Sequence, residues 1–213
     1  MIIAIDGTLA SGKGTIARRL SERMGLPHLD TGQLYRAVGV LAMRSGLSFE
    51  DVEGLVDIAS DLDLEGLEDA DLRTAEAGMA ASRVAVIPEV RAALLDWQRR
   101  FANQPGGAIL DGRDIGTIVC PDADVKLWVD ASIEERARRR AKELTASGKP
   151  ITEAEMLKQL HERDERDRSR TIAPMKKAEN AVLIDTTVMS IEAAVENAWA
   201  VVEAAQAKRD RCL

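Results

Sequence analysis

Residues 7–15 read Gly7-Thr-Leu-Ala-Ser-Gly12-Lys13-Gly14-Thr15, with four residues between Gly7 and Gly12 and a lysine directly after Gly12. This spacing suits a polyphosphate. Glycine lets the backbone fold around an anion with no Cβ in the way. Successive N–H groups then point inward, and a helix starting at the loop adds positive potential. Lys13 brings a compact charge to the outer phosphates. Gly7, Thr8, Leu9, Ala10, Ser11, Gly12, Lys13, Gly14 and Thr15 are the candidate triphosphate-binding residues. Ala10 carries a Cβ and is expected to hold an ordinary φ.

Arg163, Arg166 and Arg170 follow one another at intervals of three and four. On a helix that spacing puts all three on one face. Arginine offers a planar fork for phosphate oxygens. Ion pairing with Glu162, Asp164 and Asp167 is the other reading, and the two are compatible if the segment opens and closes. His28 and His161 stand alone, and Cys120 and Cys212 lie far apart. No metal-ligand spacing or disulfide framework is indicated, which points to a reducing cytosol.

These residues need elements to hold them. Short apolar runs of β type occupy 2–6, 26–30, 108–111, 125–129 and 181–185. Four of them end in aspartate, and the fourth in order is followed by Asp130. Helical patterns fill 13–24, 32–45, 90–102, 133–145, 153–168 and 191–208. Strands alternating with helices, each strand nearly all apolar, predict an α/β fold with a central five-stranded parallel sheet and helices on both faces. Ligands in such sheets bind beyond the carboxyl ends of the strands, where the aspartates fall. One domain over 1–213 is expected, with a core at 1–45 and 104–213, a helical insert at about 46–103 and a lid at about 146–174.

The chain has 213 residues, is 46% hydrophobic and carries a net charge of −7. Broad nucleic-acid binding needs a basic face, so that class is excluded. Aromatics are only 3%, too few for a base-stacking surface. Charge is nonetheless uneven. Residues 48–96 hold thirteen acidic against three basic side chains, and 136–177 hold thirteen basic against seven acidic. The basic stretch suggests a local anion site, with a solvated, salt-bridged helix pair as the alternative. No apolar run approaches a membrane span or a signal segment. A cytoplasmic monomer without membrane or nucleic-acid partners is the expectation.

Four further segments carry a resemblance: Leu29-Asp-Thr-Gly-Gln-Leu-Tyr-Arg36, Ala81-Ser-Arg-Val-Ala with Pro88-Glu-Val-Arg91, Asp111-Gly-Arg-Asp-Ile-Gly116, and Glu162-Arg-Asp-Glu-Arg-Asp-Arg-Ser-Arg170. In order and content they are similar to segments of the bacterial cytidylate kinases, and with the phosphate loop they span almost the whole chain. Gly-Lys-Gly-Thr likewise resembles the nucleoside monophosphate kinase form of that loop. The resemblance implies a P-loop three-layer sandwich with a monophosphate-binding insert and a helical lid. It implies phosphoryl transfer from ATP to CMP and dCMP, with Mg²⁺. Thr31, Arg36, Arg113 and Arg170 would hold the monophosphate, and Ser82, Arg91 and Asp114 the cytosine edge. Asp167 would accept from a ribose hydroxyl. Arg163 and Arg166 would close over the transferring group with Lys13, Arg113 and Arg170. Thr15 would touch the phosphates and Arg139 the ATP. Asp111 would help hold hydrated Mg²⁺, or is simply a turn or cap residue. For Ser82 and Arg91 a plain surface helix is the competing reading.

Thr8, Leu9 and Ala10 depart from the family's usual loop, and residues 62–81 read as acidic helix where the family carries extra strands. Two other functions compete. One is a different small-molecule P-loop kinase, which the LDTG and DGRD segments disfavour. The other is a non-catalytic nucleotide-binding regulator. A GTPase switch would need an Asn-Lys-x-Asp motif, and none of the three asparagines begins one.

Overall fold

A computed structural model of the chain describes residues 1–64, 66–72 and 74–211, with backbone alone at 69 and 75. Five strands, β1 (Ile2–Gly7), β2 (His28–Asp30), β3 (Ala108–Gly112), β4 (Val125–Asp130) and β5 (Val182–Asp185), form one sheet in the order β2-β3-β1-β4-β5. β1 runs parallel to β3 and to β4, and β4 parallel to β5. The helices are α1 (Lys13–Met24), α2 (Thr31–Arg44), α3 (Val52–Ser60), α4 (Asp69–Leu72), α5 (Ala75–Val84), α6 (Pro88–Ala102), α7 (Ile133–Ala146), α8 (Glu153–Ser169) and α9 (Ile191–Asp210). The elements expected from the sequence are present, their ends shifted by a residue or two. A π-helix at Ile115–Val119 had no signal in the sequence.

Residues 1–29 with 104–213 form one compact unit, and residues 30–103 form a second. In the first, alternate residues of each strand face opposite ways. Ile3, Ile5, Leu127 and Val129 bury one face against Ile16 and Leu20 of α1 and Ala198 and Val202 of α9. On the other face Trp128 packs with Met175, Ala178 and Ala181. α7 and α8 pair through Ala137, Ala141, Met156 and Leu160. Thr152 and Glu155 close a reciprocal cap at the start of α8, which fixes where that helix begins.

The second unit takes in α2 ahead of the expected insert start at 46, because α2 packs on α5. A Cβ at Gly39 would stand 2.6 Å from the Cβ of Ala80, so only glycine lets the helices approach this closely. Between 46 and 103 the elements among the described residues are the helices α3 to α6, with no strand. No helix among the described residues is long and apolar enough to cross a membrane. Cys120 is buried and in no disulfide among the described residues, and Cys212 lies outside them.

Candidate active site

The phosphate loop leaves β1 at Gly7, where a Cβ would collide with the Val129 backbone. It enters α1 at Gly12, which has φ +92° and no side-chain cap. The first-turn N–H groups of α1 therefore meet no capping side chain, the arrangement an anion exploits. Thr8 and Ser11 are fully buried. Thr8 Oγ1 donates to Asp130 Oδ1 at 2.6 Å, and Ser11 Oγ donates to the Thr8 carbonyl at 2.9 Å. Thr186 Oγ1 donates to the Ser11 carbonyl at 2.8 Å. The ends of β4 and β5 thus brace the loop, and these side chains face the protein, leaving backbone N–H groups for a ligand. Ala10 departs from expectation: its φ is +61°, left-handed. The surrounding braces hold it there despite a cost of about 1–2 kcal/mol.

Arg139 on α7 is fastened beside this brace. Its Nη1 donates to Thr186 Oγ1 at 2.9 Å and its Nε to Glu135 Oε1 at 2.8 Å. The Arg138 guanidinium, with Arg139 behind it, outweighs burial and holds the Glu135 carboxyl down at about 2.

At the end of β3, Asp111 is 2% exposed, and His28 Nε2 lies 2.7 Å from its Oδ1. His28, isolated in sequence, is thus Asp111's partner. Asp111 Oδ2 lies 4.0 Å from where a Cβ of Gly14 would stand. Asp6 ends β1 and accepts from the N–H groups of Ile115 (2.8 Å) and Gly116 (2.7 Å), holding the π-helix that follows Arg113 and Asp114. Burial, with the charge of Asp114, pushes the Asp6 carboxyl up to about 7, against the two N–H donors and Arg113.

Asp167 gathers arginines. Arg113 Nε donates to its Oδ2 at 3.1 Å, and Arg170 Nη2 lies 3.4 Å from its Oδ1. Burial pushes the Asp167 carboxyl up, but Arg113, Arg170 and Arg163 prevail and hold it below its ordinary value. The single helical face expected for Arg163, Arg166 and Arg170 is not what forms. α8 ends at Ser169, and Arg170 has extended backbone at φ −53°, ψ 131°. Arg170 instead turns back to donate from Nε to the Asp167 carbonyl at 3.3 Å. Arg166 is exposed and Arg163 half-buried. Asp164, expected as a partner for these arginines, pairs with Arg136 of α7 at 2.7 Å.

In the second unit, Asp30 caps α2 by accepting from Gly32 N and pairs with Arg36 Nη2 at 2.7 Å. Thr31 is buried at the first position of α2. Ser82 Oγ donates to the Gly78 carbonyl at 3.2 Å. Arg91 is 8% exposed, not on an open surface. It donates to the Ala85 carbonyl at 3.2 Å and lies over the Tyr35 ring at 5.4 Å.

A cytidylate kinase family model matches residues 3–204. The chain belongs to the cytidylate kinase family. A cytidylate kinase of Methylocella silvestris is 54% identical over 205 residues, covering 96% of this chain and 95% of that one. One from Xanthobacter autotrophicus is 54% identical over 209 residues, covering 98% and 100%. Among solved structures, an uncharacterized protein from Eubacterium ventriosum shares the fold, with a TM-score of 0.55, 14% identity and coverage of 95% and 98%. This family member is a nucleotide kinase that uses ATP as co-substrate.

Family segments do not reveal which residues support the ones they name. Asp6, His28, Asp130, Arg136 and Thr186 were not singled out as site residues by sequence. Asp6 and Asp130 carried one faint signal, the aspartates at strand ends. His28, Arg136 and Thr186 carried none, because their partners lie far away along the chain. No cluster of three or more His, Cys, Asp or Glu side chains suited to a metal occurs among the described residues.

Proposed function

We propose that these residues carry out the family's reaction, ATP-dependent phosphorylation of CMP and dCMP to the diphosphates, in the following roles. Loop N–H groups from Gly7 to Thr15 and the Lys13 ammonium bind the ATP phosphates, and Arg139 lies by the ATP. Thr31, Arg36, Arg113 and Arg170 hold the monophosphate. Ser82, Arg91 and Asp114 read the cytosine edge, whose amino donor and adjacent acceptors suit that mixed set. Asp167 accepts from the ribose hydroxyl.

A CMP phosphate oxygen attacks the γ-phosphorus of ATP in line, the bond to the β-γ bridging oxygen breaks, and ADP leaves. The nucleophile is already an anion, so no general base is required. The loose transition state spreads charge over the equatorial oxygens, so catalysis is positioning and electrostatics. Lys13, Arg113, Arg163, Arg166 and Arg170 supply the countercharge. Closing the site excludes water and protects ATP from hydrolysis.

For Mg²⁺ the donor set is a single buried carboxylate, Asp111, beside Gly14. That is too little for a stripped ion but fits a hydrated one, which keeps several waters and uses one or two carboxylates. When bound, Mg²⁺ would supply neutralising charge to the ATP phosphates. The protein is taken to act as a cytoplasmic monomer with nucleotides alone as partners.

The observation that carries this reading is the uncapped, braced phosphate loop ending in Lys13. A coupled ADP-release assay with ATP–Mg²⁺ against CMP, dCMP, UMP, AMP and GMP tests it. Preference for CMP and dCMP is expected. Preference for another monophosphate would overturn the base-reading roles, and no turnover would overturn the reaction.

A further inference from the structure

Arg136 lies outside every role assigned above, yet its side chain is 4% exposed and fully engaged. Each guanidinium nitrogen serves a different segment. Nε donates to the Ala131 carbonyl at 3.1 Å, where β4 passes into α7. Nη1 donates to the Leu9 carbonyl of the phosphate loop at 3.3 Å. Nη2 donates to Asp164 Oδ2 on α8 at 2.7 Å. The fork is rigid and planar, so moving one partner strains or breaks a bond to another.

Leu9 is held a second time. Its side chain packs on the apolar cluster of α7 and α8, formed by Ala137, Ala141, Met156 and Leu160. The loop does not need this link for its shape, since Asp130 and Thr186 already brace it through Thr8 and Ser11. Asp164, in turn, directly follows Arg163 and stands three residues before Asp167, the partner of Arg113 and Arg170.

We propose that Arg136 and Leu9 are positioning residues that couple the phosphate loop to α8, so that a triphosphate on the loop orders the arginines that α8 carries and leads into. The inference rests on the reading of the loop as the ATP site. Because such coupling is reciprocal, ordering α8 also tightens ATP on the loop. A purely structural ion pair would stabilise α8 equally with and without ATP.

Amide hydrogen exchange across residues 153–169 separates the two. It is measured on the full chain with and without ATP–Mg²⁺, with no monophosphate, and with saturation checked by calorimetry. ATP is expected to slow exchange by roughly 5- to 150-fold, the span of ordinary site-to-site coupling. Arg136→Lys, whose single ammonium nitrogen cannot span partners reached by three separate guanidinium nitrogens, should lose most of that slowing while still binding ATP. Its kcat should fall more than its KM for ATP rises. Leu9→Ala should lose part of the slowing. That variant decides the matter if Arg136→Lys fails to fold, since Leu9 is only half-buried. Undiminished ATP-dependent slowing in the variants, or none in the saturated unaltered chain, would overturn the coupling. Failure of the unaltered chain to bind ATP, read from calorimetry alone, would overturn the loop reading and the coupling with it.

Discussion

At the end of β1, two opposing effects set the proton affinity of Asp6. Burial favours the neutral acid, two backbone N–H donors favour the carboxylate, and burial wins, with a pKa of about 7. The folded state therefore binds this proton more tightly than the unfolded chain, where an ordinary value near 3.8 applies. Asp6's contribution is fully present below that ordinary value and is lost as pH rises toward about 7. Its size is on the order of 4 kcal/mol. Urea unfolding from pH 4 to 7.5 should show Asp6→Asn less stable at the acid end, because its amide leaves one N–H without an acceptor. The variant should also lack the native decline; an equal decline in both proteins would remove Asp6 as its source. Ala10 makes a second case at this scale. Its left-handed φ of +61° costs about 1–2 kcal/mol, and glycine would relieve that at an entropic cost of about 0.4–1 kcal/mol. Ala10→Gly should thus raise stability by roughly 0.5 to 1 kcal/mol, read as a higher urea midpoint at unchanged slope.

Between elements, α2 and α5 approach closely at Gly39 and Ala80. An added methyl has nowhere to go without moving a helix. Gly39→Ala should destabilise by about 1–3 kcal/mol, seen as a fall in Tm. Arg91 on α6 and Asp114, directly before the π-helix, are two of the three residues assigned to base reading. Alanine at either should raise KM for CMP about 30- to 150-fold, the equivalent of 2–3 kcal/mol for a charged hydrogen bond, with KM for ATP nearly unchanged. Equal effects on both substrates would remove them from the base pocket. Arg91 illustrates what an element adds to a residue: its position on α6 could be read in the sequence, whereas its packing over Tyr35 and bond to Ala85 could not.

Over the whole molecule, a ligand that binds only the folded state stabilises it by mass action, about 2.7 kcal/mol at a hundredfold excess over Kd. ATP–Mg²⁺ should therefore raise the Tm of the unaltered chain. In Lys13→Ala the shift should shrink and turnover should fall by about 10²–10³-fold or more, while the unliganded Tm stays close to native. A normal shift with normal turnover would displace Lys13 from the phosphate site.

The α/β alternation, the phosphate loop and the arginine-rich stretch were legible because each rests on local physics: apolar period, glycine spacing and charge. Segments 29–36, 111–116 and 162–170 made the family legible as well. Tertiary structure decided what holds those residues. His28 meets Asp111 only because β2 lies beside β3, and Asp6 holds Ile115 and Gly116 only because β1 lies beside β3. Arg170 leaves the helical face that its spacing implied, because α8 stops at Ser169 and Asp167 draws Arg170 back. Ala10 adopts a conformation its own side chain resists, because bonds from Asp130 and Thr186, more than a hundred residues away, outweigh a local preference of about 1–2 kcal/mol.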